Sequence, residues 1–325
     1  MGNKTIKTIG ILTSGGDAPG MNAAVRAVVR AGIDKGLRIY GIRRGYSGLI
    51  SGDIFEMHLR SVCDIINRGG TVLYTARCPE FKTEEGMAKA IETCHAVGID
   101  GLITIGGDGS FRGARDLSVR GVPCVAIPGT IDNDIAATEY TIGFDTAINT
   151  VVEMVDRIRD TSQSHDRCSV VEVMGRGAGD IALHAGVACG ALTILVPEAP
   201  FDFQRDIVDK MHHTLKSGKH HFIIIVAEGV GNSAELTRRI ENETGITSRL
   251  TVLGHVQRGG TPTATERVNA SRMGYRAVEL LLAGISNRAI GMNCGRVIDL
   301  DIVEALKMKK EFDWELYNIA NAISI

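Results

Sequence analysis

Residues Thr8 to Asn22 read TIGILTSGGDAPGMN and join a strand-like run to a glycine-rich loop and the start of a helix. The run from Thr8 to Thr13 is rich in β-branched residues, and Ala23 to Ala31 carries apolar residues at three- and four-residue intervals. Glycines let a loop backbone approach a ligand closely, and the N–H groups at a helix start favour an anion. The segment therefore predicts either a phosphate-binding loop or a plain tight turn between a strand and a helix.

The same alternation of strand and helix patterns continues along the chain. Further strand-like runs are Gly101 to Ile105, Cys124 to Ile127, Ser169 to Val173, Leu192 to Val196, Phe222 to Ala227 and Leu250 to Leu253. Further helical patterns are Thr146 to Arg159, Phe203 to Leu215 and Glu266 to Leu282. The alternation is typical of βαβ units with parallel sheets. A length of 325 residues with 44% hydrophobic content predicts two α/β lobes.

The amino-acid composition limits the kinds of partner that the protein could bind. The net charge is only -2, from 36 basic and 38 acidic residues, so the chain lacks the basic excess of a nucleic-acid binder. The longest uncharged stretch, Ile181 to Pro197, is shorter than the roughly 20 apolar residues of a membrane span. The N-terminus lacks a signal-peptide pattern, and the seven cysteines form no C-x-x-C pair. We therefore expect a cytoplasmic protein with reduced thiols and small-molecule partners.

A second glycine loop, Ile105 to Ser110, places an acid among glycines at another strand end. Asp108 could hold Mg2+, which prefers carboxylate, phosphate and water oxygens. Asp and Ser also cap helices well, so a structural role as a helix N-cap stays open for Asp108.

A third loop, Ile127 to Asp134, follows the next strand and contains a hydroxyl and two carboxylates. A hydroxyl group that attacks phosphorus must lose its proton, so a positioned carboxylate such as Asp132 could act as a base. An ordinary Asp-rich turn is the alternative for this loop alone. Three glycine-and-acid loops at three strand ends favour phosphoryl transfer as the reaction class.

Arginines downstream could supply the matching positive charge. Arg167, Arg176, Arg249 and Arg258 flank strand ends or glycine turns, and guanidinium groups match phosphate oxygens. Each of them taken singly could equally be a solvated or ion-paired surface residue. The sequence has no G-x-x-x-x-G-K-[ST] loop and no protein-kinase motifs, which excludes the ordinary P-loop and protein-kinase classes.

Five motifs together make the chain resemble the bacterial ATP-dependent phosphofructokinases, in that family's order and spacing, from near the start to at least Leu282. They are Gly15 to Ala24, Gly106 to Ser110, Pro128 to Asp134, Glu172 to Arg176 and Leu253 to Gly260. The resemblance implies phosphorylation of fructose 6-phosphate to fructose 1,6-bisphosphate in glycolysis, with ATP as co-substrate and Mg2+ as cofactor.

The resemblance also implies a role for each matched residue. It assigns Asp132 as the base, with Thr130 and Arg176 steadying the transferring phosphoryl group. The implied ATP site consists of Gly16, Arg77, Cys78, Gly107, Asp108, Gly109 and Ser110, with the metal on Asp108. The implied sugar-phosphate site consists of Thr130, Ile131, Asp132, Met174, Gly175, Arg176, Glu228, His255, Val256, Gln257 and Arg258, with Arg167 and Arg249 reaching it from a neighbouring subunit.

The expected architecture follows from the same resemblance. It consists of two Rossmann-like three-layer α/β/α lobes with mainly parallel sheets and a cleft between them. Residues 1-142 and 257-309 would form the ATP lobe, and residues 143-256 and 310-325 the fructose 6-phosphate lobe. A homotetramer is implied, with active sites shared between subunits.

A second, effector site is also implied at another subunit interface. Arg26, Arg30, Arg159 and Lys219 match family positions that bind phosphorylated effectors such as ADP or phosphoenolpyruvate. Two departures bear on this transfer, because Leu59 stands where some members have a basic residue and Leu192 where many have a glutamate. We therefore expect the balance between the two effectors to differ from that in glutamate-bearing relatives.

Two competing functions would each require different residues at particular positions. Pyrophosphate-dependent relatives usually carry an aspartate and a lysine at the positions of Gly109 and Gly129, so two glycines favour ATP as the donor. A catalytically silent sensor on the same fold would be expected to lose Asp108, Asp132 or Arg176, and all three are present.

Overall fold

The structure is a computed structural model that describes residues 6–324. The chain divides into two compact units. The first unit contains Met1–Thr130, Ile135–Thr146 and Arg258–Lys310. The second unit contains Ile131–Asp134, Ala147–Gln257 and Glu311–Ile325.

The first unit is built on a seven-stranded sheet with the order β11-β10-β5-β4-β1-β2-β3. Its strands are β1 (Thr8–Ser14), β2 (Arg38–Ile42), β3 (Ile54–Met57), β4 (Gly101–Gly106), β5 (Cys124–Pro128), β10 (Arg288–Asn293) and β11 (Arg296–Asp301). Only the two edge strands, β3 and β11, pair antiparallel to their neighbours. The central strands β1, β4 and β5 are buried along their whole length, as parallel strands covered on both faces are.

The second unit is built on a four-stranded parallel sheet with the order β7-β8-β6-β9. Its strands are β6 (Cys168–Val173), β7 (Thr193–Leu195), β8 (Phe222–Ala227) and β9 (Ser248–Val252). An apolar cluster that includes Val170, Leu192, Phe222 and Ile224 forms its core. The prediction of an α/β fold with mainly parallel sheets is confirmed.

Helices connect most of these strands. Their bounds are α1 (Met21–Asp34), α2 (Gly45–Ser51), α3 (Glu84–Val97), α4 (Asp108–Val119), α5 (Phe144–Ser164), α6 (Asp180–Ala188), α7 (Lys210–Lys216), α8 (Ser233–Thr244), α9 (Ala264–Leu282), α10 (Ile302–Ala305) and α11 (Trp314–Ile323). Six residues of π-helix, Gln204–Asp209, lead directly into α7. Among residues 6–324, no helix is long and apolar enough to cross a membrane. All seven cysteines lie in the described part of the chain, where each is a free thiol.

One carboxylate, Glu266, is fully buried near the start of α9 in the first unit. Its Oε2 accepts hydrogen bonds from the backbone N–H of Thr146 at 3.1 Å and from the Thr146 hydroxyl at 2.9 Å. The Tyr140 hydroxyl donates to Oε1. Burial raises the pKa of Glu266 to about 7, although these donors favour the ionised form. Glu266 thus fixes residues 140–146 to helix α9 and titrates near neutral pH.

The titration of Glu266 predicts a pH dependence of stability. Between its ordinary pKa of 4.5 and the folded value of about 7, the folded state keeps a proton that the unfolded state releases. The free energy of unfolding should therefore fall as pH rises through this window, by up to about 3 kcal/mol. In Glu266→Gln this component should be absent.

Urea unfolding at about pH 5 and about pH 8, at one protein concentration, measures the difference. Glu279→Gln, which changes a partly exposed carboxylate on the same helix, serves as the control and should keep the native pH dependence. A Glu266→Gln variant whose stability falls as steeply as that of the native protein would contradict the assignment.

Candidate active site

The three glycine-and-acid loops follow three adjacent strands of the first unit. In the sheet register Ser14 lies opposite Gly106, and Gly106 lies opposite Pro128, so β1, β4 and β5 end at the same level. The chain moves from β1 to β2 on one side, while β4 and β5 lie on the other side of β1. Ligands of open α/β sheets bind where the strand order reverses in this way. The carboxyl ends of β1 and β4 are therefore the expected location of a ligand site.

The first loop, Gly15 to Gly20, is tied to its neighbours. Thr75 donates its hydroxyl to the carbonyl of Gly15 at 2.6 Å, and Ser110 donates to the carbonyl of Ser14 at 3.0 Å. The Arg258 guanidinium donates to the carbonyl of Asp17 at 3.2 Å, which places its positive charge on this loop. Gly15 and Gly16 are thus exposed at the start of the loop, Ala18 to Gly20 are buried, and the Ser110 and Arg258 side chains hold the segment in place.

The second loop leads directly into α4. Gly107 is the N-cap residue and Asp108 is the first helical residue, so Asp108 does not cap the helix, contrary to the structural alternative. Its side chain is 49% exposed and forms an ion pair with Arg112 at 2.8 Å. The N–H groups of the first turn of α4 point at the same loop and favour an anion.

The donor set around Asp108 fits Mg2+ that arrives with a nucleotide. Among residues 6–324 no group of three or more Asp, Glu, His or Cys side chains could hold a metal ion by itself. Mg2+ is commonly bound through one or two carboxylates together with substrate phosphates and water. The single exposed carboxylate of Asp108 matches that mode, provided that it leaves Arg112.

The third loop is buried, unlike an ordinary solvated Asp-rich turn. Thr130 is 8% exposed and Asp132 is 3% exposed. The Thr141 hydroxyl donates to the carbonyl of Thr130 at 2.6 Å within the first unit. Within the second unit Asn133 donates to Asp180 at 3.3 Å, and the Asp134 carboxylate lies 4.0 Å from the Arg176 guanidinium. The loop therefore presents buried polar groups with fixed neighbours.

A strained turn in the second unit carries Arg176. Gly175 has a φ of 143° and Arg176 a φ of 56°, both in the left-handed region, which side chains adopt at a cost. Glu228, at the carboxyl end of β8, accepts the N–H of Gly175 at 3.1 Å and the N–H of Arg176 at 2.6 Å. The Gln257 side chain accepts the N–H of Met174 at 3.2 Å. The structure thus brings Met174, Gly175, Arg176, Glu228 and Gln257 together.

Two of the predicted sugar-phosphate residues, Arg167 and Arg249, lie near the amino ends of their strands. Arg176 and Glu228 follow the carboxyl ends of β6 and β8. Arg167 precedes β6, and Arg249 pairs in register with Ser169 at the amino end of the sheet. Strands rise about 3.3 Å per residue, so the length of β6 separates these arginines from Arg176 by roughly 17 Å. The backbone positions of Arg167 and Arg249 are therefore well separated from those of Arg176 and Glu228 in the same chain.

A cationic cluster in the second unit includes two of the predicted effector residues. Burial and the nearby Arg159 charge lower the pKa of Lys219. Burial, Lys219 and Arg159 lower the pKa of His221, which the sequence analysis had not selected. Like charges held close together favour an anionic ligand. Arg26 and Arg30 lie one turn apart on α1 in the first unit.

Leu192 belongs to the core of the second unit. It is 1% exposed and packs in the apolar cluster described above. A glutamate at this position would bury a carboxylate among aliphatic side chains, which is costly without a partner. Replacing Leu192 by glutamate therefore perturbs the core as well as any effector site.

The remaining predicted site residues lie mostly at accessible positions. Arg77, Gly109, His255 and Val256 are exposed, Cys78 is partly buried, and Ile131 is fully buried. Leu59 is 48% exposed, beside Arg60. A further carboxylate, Glu198, contacts the Arg176 turn and was missed because nothing in its local sequence distinguishes it.

Comparison with known proteins identifies the family. The phosphofructokinase family pattern matches residues 8–281. A Clostridium novyi protein named ATP-dependent 6-phosphofructokinase is 59% identical over 319 residues, covering 98% of this chain and 100% of the relative. The chain belongs to the phosphofructokinase family.

Solved phosphofructokinase structures share the fold. The Saccharomyces cerevisiae phosphofructokinase aligns with a TM-score of 0.87 at 36% identity, over 98% of this chain and 46% of that longer chain. A pyrophosphate-dependent phosphofructokinase from Marinobacter aquaeolei aligns with a TM-score of 0.85 at 21% identity, over 95% of this chain and 86% of that one. Both structures therefore share the fold of this chain.

Proposed function

We propose that the chain transfers the γ-phosphoryl group of ATP to the 1-hydroxyl of D-fructose 6-phosphate, forming fructose 1,6-bisphosphate and ADP in glycolysis. The observation that carries this proposal is the buried Asp132, on the loop that follows β5, a strand whose carboxyl end is in register with those of β4 and β1. The 59% identity to a relative named for this activity supports the same reaction.

The first unit is proposed to bind the nucleotide. Exposed backbone at Gly16 and at Gly109 in the first turn of α4 suits polyphosphate oxygens, because glycines there let a ligand approach the N–H groups closely. Arg77, Cys78 and Gly107 to Ser110 complete the proposed ATP site. Mg2+ held by Asp108 and the phosphates would neutralise charge that develops on the phosphoryl oxygens.

The second unit is proposed to bind the sugar phosphate. Met174, Gly175, Glu228 and the segment from His255 to Arg258 would hold the acceptor of the same chain. Arg167 and Arg249 lie at the amino end of the second unit's sheet, apart from this group, which supports their action on a neighbouring subunit and hence a homotetramer with shared sites. Guanidinium groups from that neighbour would bind the 6-phosphate in bidentate fashion.

Asp132 is proposed to accept the proton of the 1-hydroxyl as that oxygen attacks phosphorus. Thr130 and Arg176 would stabilise the charge on the transferring group. The Arg176 side chain is 72% exposed, and its guanidinium lies 4.0 Å from the Asp134 carboxylate. An exposed ion pair at this distance is weak, so Arg176 can leave it to bind a phosphate.

The donor is proposed to be ATP rather than pyrophosphate. A Cβ at position 109 would meet no atom within 4 Å, so Gly109 leaves open space beside the loop. A Cβ at position 129 would lie 2.9 Å from the Met21 side chain, so the loop there is closely packed against α1. Gly109 therefore supports ATP as the donor by leaving room for the nucleotide's α-phosphate, whereas a side chain at position 129 would point into packed protein.

Regulation by a phosphorylated effector is proposed for the cationic residues Arg26, Arg30, Arg159 and Lys219, with ADP or phosphoenolpyruvate as the ligand. The mutual proximity of Arg159, Lys219 and His221 supports an anion site in the second unit. The enzyme is proposed to act in the cytoplasm, where its free thiols would stay reduced.

Removing the proposed base should abolish most turnover. Asp132→Asn keeps the side-chain shape but cannot accept the proton at neutral pH, so kcat should fall by about 100-fold or more while substrate binding changes less. Steady-state kinetics with both substrates varied measures this. Asp116→Asn, which changes an ion-paired carboxylate on α4, should keep native turnover. Near-native kcat in Asp132→Asn would rule out the proposed base.

Removing one effector cation should weaken the effector response. In the native protein ADP or phosphoenolpyruvate should shift the apparent KM for fructose 6-phosphate by about 5-fold or more. Lys219→Gln removes a charge from the cluster and should reduce that shift, whereas Lys216→Gln on the exposed end of α7 should not. An undiminished response in Lys219→Gln would exclude Lys219 from the site, and no response in the native protein would leave the cluster a structural role.

A further inference from the structure

The turn from Met174 to Gly179 is tied down at both of its ends by carboxylates. Glu228 holds the N–H groups of Gly175 and Arg176 at its start. At its other end the N–H of Gly179 donates to Oε1 of Glu198 at 2.9 Å. Between the two, the N–H of Ala178 donates to the carbonyl of Gly175 at 2.9 Å and closes the turn.

Glu198 packs closely against the end of this turn. A Cβ at position 179 would lie 2.7 Å from Oε2 of Glu198 and 2.5 Å from Cβ of Val196, so Gly179 and Glu198 are in direct contact. Oε2 is buried and has no hydrogen-bond partner among the residues that the structure describes. A buried carboxylate oxygen without a partner is costly, so its retention requires an explanation.

The backbone conformation of Arg176 explains why hydrogen bonds are needed at both ends of the turn. Its left-handed backbone is unfavourable for a residue with a side chain and persists only when the surroundings determine it. Glu228 fixes the backbone before and at Arg176, but without Glu198 the segment after it could relax toward a more favourable conformation. Such a relaxation would move the guanidinium away from its place.

We propose that Glu198 is a positioning residue for Arg176, acting through its hydrogen bond to the backbone of Gly179. Glu198 does not contact substrate in this proposal, which rests on the proposed function of Arg176. Misplacement of a catalytic group by about 1 Å can cost on the order of 100-fold in rate. Loss of the anchor should therefore appear in kcat and in fructose 6-phosphate binding, and not in the KM for ATP.

Two substitutions of Glu198 distinguish loss of its hydrogen bond to Gly179 from loss of its negative charge. Glu198→Ala removes the acceptor of the Gly179 N–H and should lower kcat/KM for fructose 6-phosphate by about 10-fold or more, with KM for ATP unchanged. Glu198→Gln keeps an amide oxygen that can accept the same hydrogen bond and should recover most of the native value. Glu235→Ala, on the first turn of α8 in the same unit, is the control for an unrelated carboxylate.

A double-mutant cycle with Arg176→Lys decides whether Glu198 acts through Arg176. Lysine keeps the charge and part of the activity but loses the fixed guanidinium geometry, so Glu198→Ala should cost much less in this background than in the native one. Equal losses in both backgrounds would show a general structural role and overturn the proposal, as would failure of Glu198→Gln to recover activity. A native protein without turnover would instead refute the proposed function, so the two failures are distinguishable.

Discussion

The parallel pairing of β1 with β4 and of β4 with β5 is the constraint on which the proposed nucleotide site depends. Because Ser14, Gly106 and Pro128 stand in register, the three loops that follow leave the sheet at one edge. A shift of one residue in this register would turn the buried strand residues to the opposite face, and the closely packed core does not permit it. The buried aliphatic strands thus fix exposed glycine backbone where an anion can approach it.

The second unit depends on a different constraint, the left-handed backbone conformation at Arg176. In the proposed mechanism it must hold the flexible, charged side chain of Arg176 in one place, and the observed hydrogen bonds fix the backbone from which Arg176 projects. Backbone N–H groups of the turn donate hydrogen bonds to the carboxylates of Glu228 and Glu198. These hydrogen bonds offset the cost of the left-handed backbone conformation. The guanidinium itself stays exposed and weakly paired, so it can bind a phosphoryl group without first breaking a strong ion pair.

The elements that could be predicted from the sequence are those determined by residues close together in the chain. The buried strands β1, β4, β5 and β8 are rich in aliphatic residues, and glycine loops directly follow the first three, so both could be predicted. Strands β2 and β3 could not, because they are short, only partly buried and broken by polar residues. Glu198 was missed because it contacts Gly179, which is distant in sequence, and His221 because its proximity to Arg159 is not visible in the sequence. The burial of Leu192 in the core became clear only from its neighbours. The roles of Asp132, of the sugar-phosphate residues and of a neighbouring subunit stay predictions.

The most direct test of the account is a coupled assay of fructose 6-phosphate phosphorylation with ATP or pyrophosphate as donor, with and without Mg2+. The account predicts turnover with ATP that requires Mg2+, and none above background with pyrophosphate. It also predicts that Gly109→Asp, which adds a side chain where a Cβ meets no protein atom, loses activity with ATP while remaining folded, because charge and bulk oppose the nucleotide phosphates. Efficient phosphorylation from pyrophosphate by the native protein, or none from ATP, would contradict the account.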